Sequence, residues 1–232
     1  MRLFMIYAAG NFVVAWITWD SLGWGYGIDA QLYSNLGVPM GSTIHVVEGD
    51  RPAFALNPVA AMDSDGDFVI AWEGASRDIV FARRFNASGV ANGPELVVSR
   101  LTDPGQRLPA VAMDADGDFV VAWQSDAAGE GRGGIFARRY NRDGVAQGSQ
   151  FRAGVDTVNW QGEPKVAMDA DGDFVIAWQS EIGESQISGS LFDIYARQFS
   201  PIGLTAPAHV VYAPGIMAKG DAFRVITKIN GP

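Results

Sequence analysis

An all-β fold, a β-propeller of four-stranded antiparallel blades, is what this sequence predicts, on three observations. One stretch of fifteen residues, Pro58 to Trp72, recurs as Pro109 to Trp123 and Pro164 to Trp178, and a worn copy ends in Gly10-Asn-Phe-Val-Val-Ala-Trp16. The tryptophans closing the copies, Trp16, Trp72, Trp123 and Trp178, lie 56, 51 and 55 residues apart. A period near fifty residues marks units that bury their apolar faces against neighbouring copies. Each copy also alternates apolar runs of strand length with turns of Asp, Asn and Gly, and no 3.6-residue period supports helices. A parallel β-helix coil is much shorter than fifty residues.

The elements follow in order. Gly10 aligns with Gly117 and Leu3 to Ile6 align with Ala110 to Met113, so residues 3–8 read as the first strand of the first repeat. The opening Met-Arg-Leu-Phe-Met-Ile-Tyr is thus a strand and not a signal peptide, and any secretion signal is expected upstream of this segment. In the third copy Ala110 to Met113 is an apolar run, Asp114-Ala-Asp-Gly-Asp118 a turn, and Phe119 to Trp123 apolar again. Gly117 supplies the positive φ that a type I turn with a bulge needs, which makes a tight hairpin. Phe119, Val121 and Trp123 point to one face, Val120 and Ala122 to the other, so the strand is covered on both sides and Trp72, Trp123 and Trp178 are expected between blades. A third strand, Gly134 to Tyr140, has counterparts in Asp78 to Phe85 and Asp193 to Phe199. After a second turn, Asn141-Arg-Asp-Gly144, a more polar fourth strand near Gln150 to Ala153 suits an outer edge.

The whole chain, 1–232, therefore reads as one domain with repeats at about 1–57, 58–108, 109–163 and 164–213, and a partial repeat or closing strand at 214–232. Two endings stay open: a four-bladed ring closed by Ala222 to Ile226, or a piece of a longer array, which the abrupt start inside a repeat favours.

Met-Asp-Ala-Asp-Gly-Asp-Phe-Val-Val-Ala-Trp-Gln-Ser (113–125), followed by Ile-Phe-Ala-Arg-Arg-Tyr-Asn-x-Asp-Gly (135–144), resembles the propeller-like repeats of large secreted or surface-attached bacterial proteins. Such repeats often sit beside cadherin-like, Calx-β or RTX modules. The resemblance covers roughly residues 1–212. It implies an extracellular or cell-surface bacterial setting and adhesion or scaffolding, and it carries no catalytic motif. The hairpin is also faintly similar to the Asp-box of sialidase propellers, without its opening serine.

Composition narrows the function. Of 232 residues 48% are hydrophobic, ample for a core, and the formal charge of −9 argues against nucleic acid and against an anionic membrane surface. No apolar run reaches the length of a spanning helix. There is no cysteine, so disulfides and thiolate chemistry are excluded while the compartment stays open.

Three acidic triplets stand in the repeated turns: Asp63, Asp65 and Asp67; Asp114, Asp116 and Asp118; Asp169, Asp171 and Asp173. Clustered carboxylates are suitable calcium ligands, yet the spacing is one residue short of an Asp-x-Asp-x-Asp-Gly loop and no bidentate glutamate follows. Asp and Gly are also what the turn demands, and the worn copy has lost all three aspartates. The triplets therefore read as turns and no cofactor is expected, with calcium as the alternative. Arg83-Arg84, Arg138-Arg139 and Arg197 read as anchors for a carboxylate or carbonyl between blades, because neighbours in a strand point to opposite faces and cannot form one clamp.

Only two histidines occur, His45 and His209, too few for a histidine zinc site, and no Gly-x-Ser-x-Gly elbow appears. Function is expected where copies differ, in the loops between second and third strands: 17–27, 73–77, 124–133 and 179–191. These lie on the face opposite the triplets. Trp19, Asp20, Trp24, Tyr26, Asp126, Glu130, Glu181 and Glu184, joined by Trp160 from an inter-blade connection, form the candidate ligand site. Aromatics stack on sugar rings and carboxylates accept their hydroxyl protons. The reading is an extracellular, non-catalytic binding or adhesion module for a glycan or protein surface ligand. The alternatives are a glycan-cleaving, sialidase-like propeller enzyme or a structural spacer, and the absence of a placed acid/base pair weighs against the enzyme.

Overall fold

The computed structural model describes residues 4–8, 10–19, 26–47, 55–74, 78–100, 104–126, 133–154, 159–185 and 189–200. Within them the chain is all strand. Sheet 1 runs in the order β1 (Phe4–Ala8), β2 (Asn11–Trp19), β3 (Tyr26–Tyr33), β4 (Pro39–His45). Sheet 2 is β5 (Ala55–Met62), β6 (Phe68–Gly74), β7 (Ile79–Phe85), β8 (Leu96–Val97), and sheet 3 is β9 (Arg107–Met113), β10 (Phe119–Ser125), β11 (Gly134–Tyr140), β12 (Phe151–Arg152). Sheet 4 has three described strands, β13 (Gln161–Met168), β14 (Phe174–Ser185) and β15 (Gly189–Phe199). Every pairing is antiparallel between chain neighbours, so each repeat is one meander. The segments 201–232, including the expected closing strand and His209, lie outside the described residues.

Successive sheets pack face to face in propeller fashion, each first strand lying against the first strand of the sheet before it. Alternation along the second strand makes this work. Phe119, Val121 and Trp123 of sheet 3 meet Val69, Ala71, Val80 and Ala82 of sheet 2 in one core. Val120 and Ala122, on the other face, meet Phe174, Ile176 and Trp178 of sheet 4. Bulky and small side chains thus meet across the interfaces between described sheets. Trp72, Trp123 and Trp178 are at most 2% exposed, each stacked on the aromatic opposite it in the third strand: Phe81, Phe136 and Tyr195 at 5.9, 6.4 and 6.2 Å.

The arginine expectation holds in a definite form. Arg83 donates to Val46 O at 3.0 Å, Arg138 to Val98 O at 3.3 Å and Arg197 to Ala153 O at 3.3 Å. Each acceptor is the residue just after the fourth strand of the preceding repeat, so the arginine latches one sheet to the last. Each guanidinium also lies over the ring two residues on, Phe85, Tyr140 or Phe199, at 5.2–5.6 Å. The second arginine of the first pair, Arg84, reaches forward instead and donates to Arg142 O of the next repeat.

The repeated turns explain the acidic triplets. In each, the first aspartate accepts two backbone N–H groups: Asp63 from Asp65 and Asp67, Asp114 from Asp116 and Asp118, Asp169 from Asp171 and Asp173. The last aspartate reaches the neighbouring turn, Asp67 accepting from Ala87 N and Asp118 from Arg142 N. Asp65, Asp116 and Asp171, in the middle, are exposed. Gly117 has φ +91°, and a Cβ there would come within 3.3 Å of Arg142 Cβ, so glycine is demanded twice over. The worn copy keeps the same tie with a neutral group: Asn11 Oδ1 accepts from Asn35 N at 3.1 Å. Among the described residues no group of three or more His, Asp or Glu side chains is arranged to hold a metal ion.

Candidate functional site

The opposite end of the sheets is built differently. Each first strand of sheets 2 to 4 carries a bulge at an x-Pro pair. Asn57-Pro58 stands opposite Trp72, Leu108-Pro109 opposite Trp123, and Glu163-Pro164 opposite Trp178. The residue before each proline sits in the left-handed region, with φ 50°, 52° and 54°. A non-glycine residue there costs about 1–3 kcal/mol, and a following proline narrows the backbone further. Three repeats keep the strain while its side chain changes from amide to aliphatic to carboxylate. A bulge re-aims the residue it carries, and such kept strain marks functional positions.

Around these bulges the polar groups are specific to each repeat. Glu73, at the end of β6, accepts from Asn57 Nδ2 at 2.9 Å and from Leu108 N at 3.2 Å, joining the bulges of sheets 2 and 3 through one carboxylate oxygen. The equivalent position in sheet 3 is Gln124, 1% exposed, whose Oε1 has no hydrogen-bond partner among the described residues. A side chain at Gly162 would collide with the Trp160 ring and come within 2.6 Å of Gln124 Oε1, so the backbone passes close by. Glu163 has no hydrogen-bond partner among the described residues and is partly exposed.

The sequence-predicted site residues divide. Trp19, at the end of β2, is 65% exposed. Asp126 pairs with Arg107 at 2.8 Å, both partly exposed, a contact worth little on its own. Trp160 packs edge-on to Phe192 at 5.5 Å, so it is a packing residue of sheet 4 more than an open platform. Glu181 stands on β14 opposite Phe192, its N–H donating to Trp160 O, and Glu184 lies on the same strand opposite Ser190. The expected loop 179–191 is therefore corrected to a hairpin of two extended strands, because Glu181 to Ser185 pair across to Phe192 to Gly189. The expected loop 17–27 is likewise shortened: Ile17, Thr18 and Trp19 pair with Ile28, Gly27 and Tyr26. Asp20, Trp24 and Glu130 lie outside the described residues, as does the side chain of Tyr26. Asn57, Leu108, Glu163 and Glu73 were not among the candidates. Their signal was present: a repeated proline preceded each time by a different residue.

No protein-family model and no curated protein matches the chain. Solved structures do. The α-L-arabinofuranosidase Arb93a of Fusarium graminearum is similar at 12% identity and TM-score 0.56, over 90% of this chain and 68% of that one. A PL25 polysaccharide lyase, an ulvan lyase, is similar at 13% identity and TM-score 0.55, over 89% of this chain and 57% of that one. The GH43 protein BlXynB of Bacillus licheniformis is similar at 12% identity and TM-score 0.51, over 91% of this chain and 43% of that one. The chain thus spans less than half the length of that last protein. Likeness at this identity shows the fold. It also corrects the reading of a non-catalytic adhesion module and the weighting against an enzyme, because the similar structures process glycans and share this arrangement of sheets. The weighting against an enzyme rests on the lack of a placed acid/base pair, and carboxylates supplied by separate strands would leave no contiguous motif to read.

Proposed function

We propose that this chain is a glycan-processing enzyme module that cleaves a saccharide held across the bulged ends of its first strands. In this reading the four sheets are four-stranded blades of one propeller, and the bulges stand around its axis. The observation that carries it is the repeated left-handed x-Pro bulge, which sets Asn57, Leu108 and Glu163 at the same position of three successive sheets, the first two of them tied to Glu73. Glu163, with no hydrogen-bond partner among the described residues, serves as the proton-transferring carboxylate. Glu73 is fixed by its two donors and suits holding a sugar hydroxyl or a developing positive charge. Glycan processing in the similar structures supports the choice of substrate class.

The test is product release from α-L-arabinofuranosides, arabinan and ulvan by the purified chain. Turnover of at least one is expected. Glu163→Gln is expected to lower it about 100-fold or more, the usual contribution of a positioned acid or base, with unchanged melting. No turnover of any of these glycans would remove the enzyme reading.

A further inference from the structure

Sheet 1 departs from the other three along one row. In sheets 2 to 4 the repeat tryptophan is covered by an aromatic ring of the third strand. In sheet 1 the residue opposite Trp16 is Asp29, and opposite Asp29 on β4 is His45. Residues directly opposite share a face, so Trp16, Asp29 and His45 form one line across the sheet. Asp29 Oδ1 is held by His45 Nδ1 at 2.8 Å, with the aspartate side chain 17% and the histidine 81% exposed. The second oxygen of Asp29 has no partner among the described residues.

The same face has also lost its latch. Gln31 occupies the place of Arg83, and its amide donates within its own sheet, to Leu32 O, Met40 O and Gly41 O. No described sheet packs on this face. Trp16, Phe12 and Tyr33 are partly exposed there, where their counterparts Trp72, Phe68 and Phe85 are at most 2% exposed. A blade of the kind seen elsewhere would bring an alanine- and valine-lined face against Asp29, burying a carboxylate with a free oxygen, and would find no arginine latch. A hydroxyl-rich ring meets both demands. Its apolar face stacks on an indole and its hydroxyls donate to a carboxylate.

We infer that the outer face of sheet 1 is a saccharide-binding platform, with Trp16 as the stacking surface and Asp29, oriented by His45, as the hydroxyl acceptor. The inference rests on the glycan reading for its ligand class but places the contact on a different face from the bulges. The experiment is calorimetric titration of the full chain with arabinan and ulvan oligosaccharides, for the unaltered protein, Asp29→Asn with His45→Ala, and Trp16→Ala. The expected result is binding that weakens about tenfold or more in both variants. The doubly substituted row is exposed enough to keep the fold, so a misfolded Trp16→Ala leaves the inference open to refutation. Binding indifferent to both variants overturns the platform, as does no binding at all. A fall in melting temperature for Trp16→Ala equal to that for Trp123→Ala, with no change in affinity, also overturns it, because the face is then covered by the chain itself or by another blade. Binding without turnover removes only the enzyme reading, and turnover with variant-independent binding removes only the platform.

Discussion

Sheets 1 and 3 are written in nearly the same sentence, yet their large-residue faces end in opposite situations. In sheet 3 Trp123 is fully buried, roofed by Phe136, and Arg138 reaches back to Val98 O. In sheet 1 Trp16 is partly exposed beside Asp29, and Gln31 turns inward on its own sheet. The shared residues, Phe-Val-Val-Ala-Trp and the turn glycine, build the meander. The residues that differ accompany whether a described sheet packs on the large-residue face. A repeat is therefore two layers of information: what makes a blade, and what joins blades.

The strongest way to break that comparison is to truncate both tryptophans. Trp123→Ala is expected to cost about 3–5 kcal/mol, the loss seen for a large buried ring. Trp16→Ala, made in a partly exposed position, should cost about 1–2 kcal/mol. Urea melts read both, and equal losses would mean that sheet 1 is covered like the rest.

The latch comes next. Arg83, only 7% exposed, holds a carbonyl of the preceding repeat and covers Phe85. Arg83→Ala should cost about 2–3 kcal/mol, since a charged hydrogen bond goes and a buried acceptor is orphaned. Gln31→Ala, which breaks contacts only within sheet 1, should cost about 1 kcal/mol. If the two losses are alike in thermal melts, the latch does not join sheets.

The turns sharpen the comparison at smaller amplitude. Sheet 1 makes its tie with Asn11 where sheet 3 uses Asp118. Asp118→Ala should lose about 1–2 kcal/mol, while Asp118→Asn should lie within about 0.5 kcal/mol of the parent, because the turn asks for an acceptor and not for charge. A loss for asparagine as large as for alanine would show that the charge itself matters, and a melting temperature that rises on adding calcium would say why.

The smallest effect is in pH. Partial burial raises the Asp114 carboxyl above its ordinary value, while the N–H groups of Asp118 and Asp116 pull it back. A raised carboxyl favours the protonated form in the fold. Its contribution to stability therefore grows as pH falls through the raised value and levels off below the unfolded one, near 3.8. Asp114→Asn removes that slope. Between neutral and about pH 4 the parent should gain on the variant by less than about 0.5 kcal/mol, since solvent screens so exposed a site. A parent that loses ground to the variant on acidification would reverse the assignment.

Much of the scaffold was legible. The strand pairs, Gly117 as the positive-φ turn residue, Trp72, Trp123 and Trp178 between sheets and one arginine per pair as an anchor all follow from period-two alternation and turn chemistry, which are local. The site was legible only in part. Trp19 is exposed as expected and Asp126 stands at the expected end, but Trp160 is spent on Phe192. Loop 179–191 proved largely strand, and loop 17–27 is strand at both ends, because a polar hairpin extension has the same composition as a loop. Glu163 and Glu73 were not singled out: Glu73 opens the expected loop 73–77 and Glu163 ends a repeat just before its proline, and nothing local distinguishes either.

By itself the sequence determined the repeat, its strands and turns, and the alternation of large and small faces, because each depends on residues a few positions apart. The tertiary structure alone decided which faces meet, which residue before proline is driven into the left-handed region opposite a tryptophan, and which bulges one carboxylate joins. Those outcomes depend on groups roughly fifty residues apart in the chain, whose contact is set by how one sheet seats against the next.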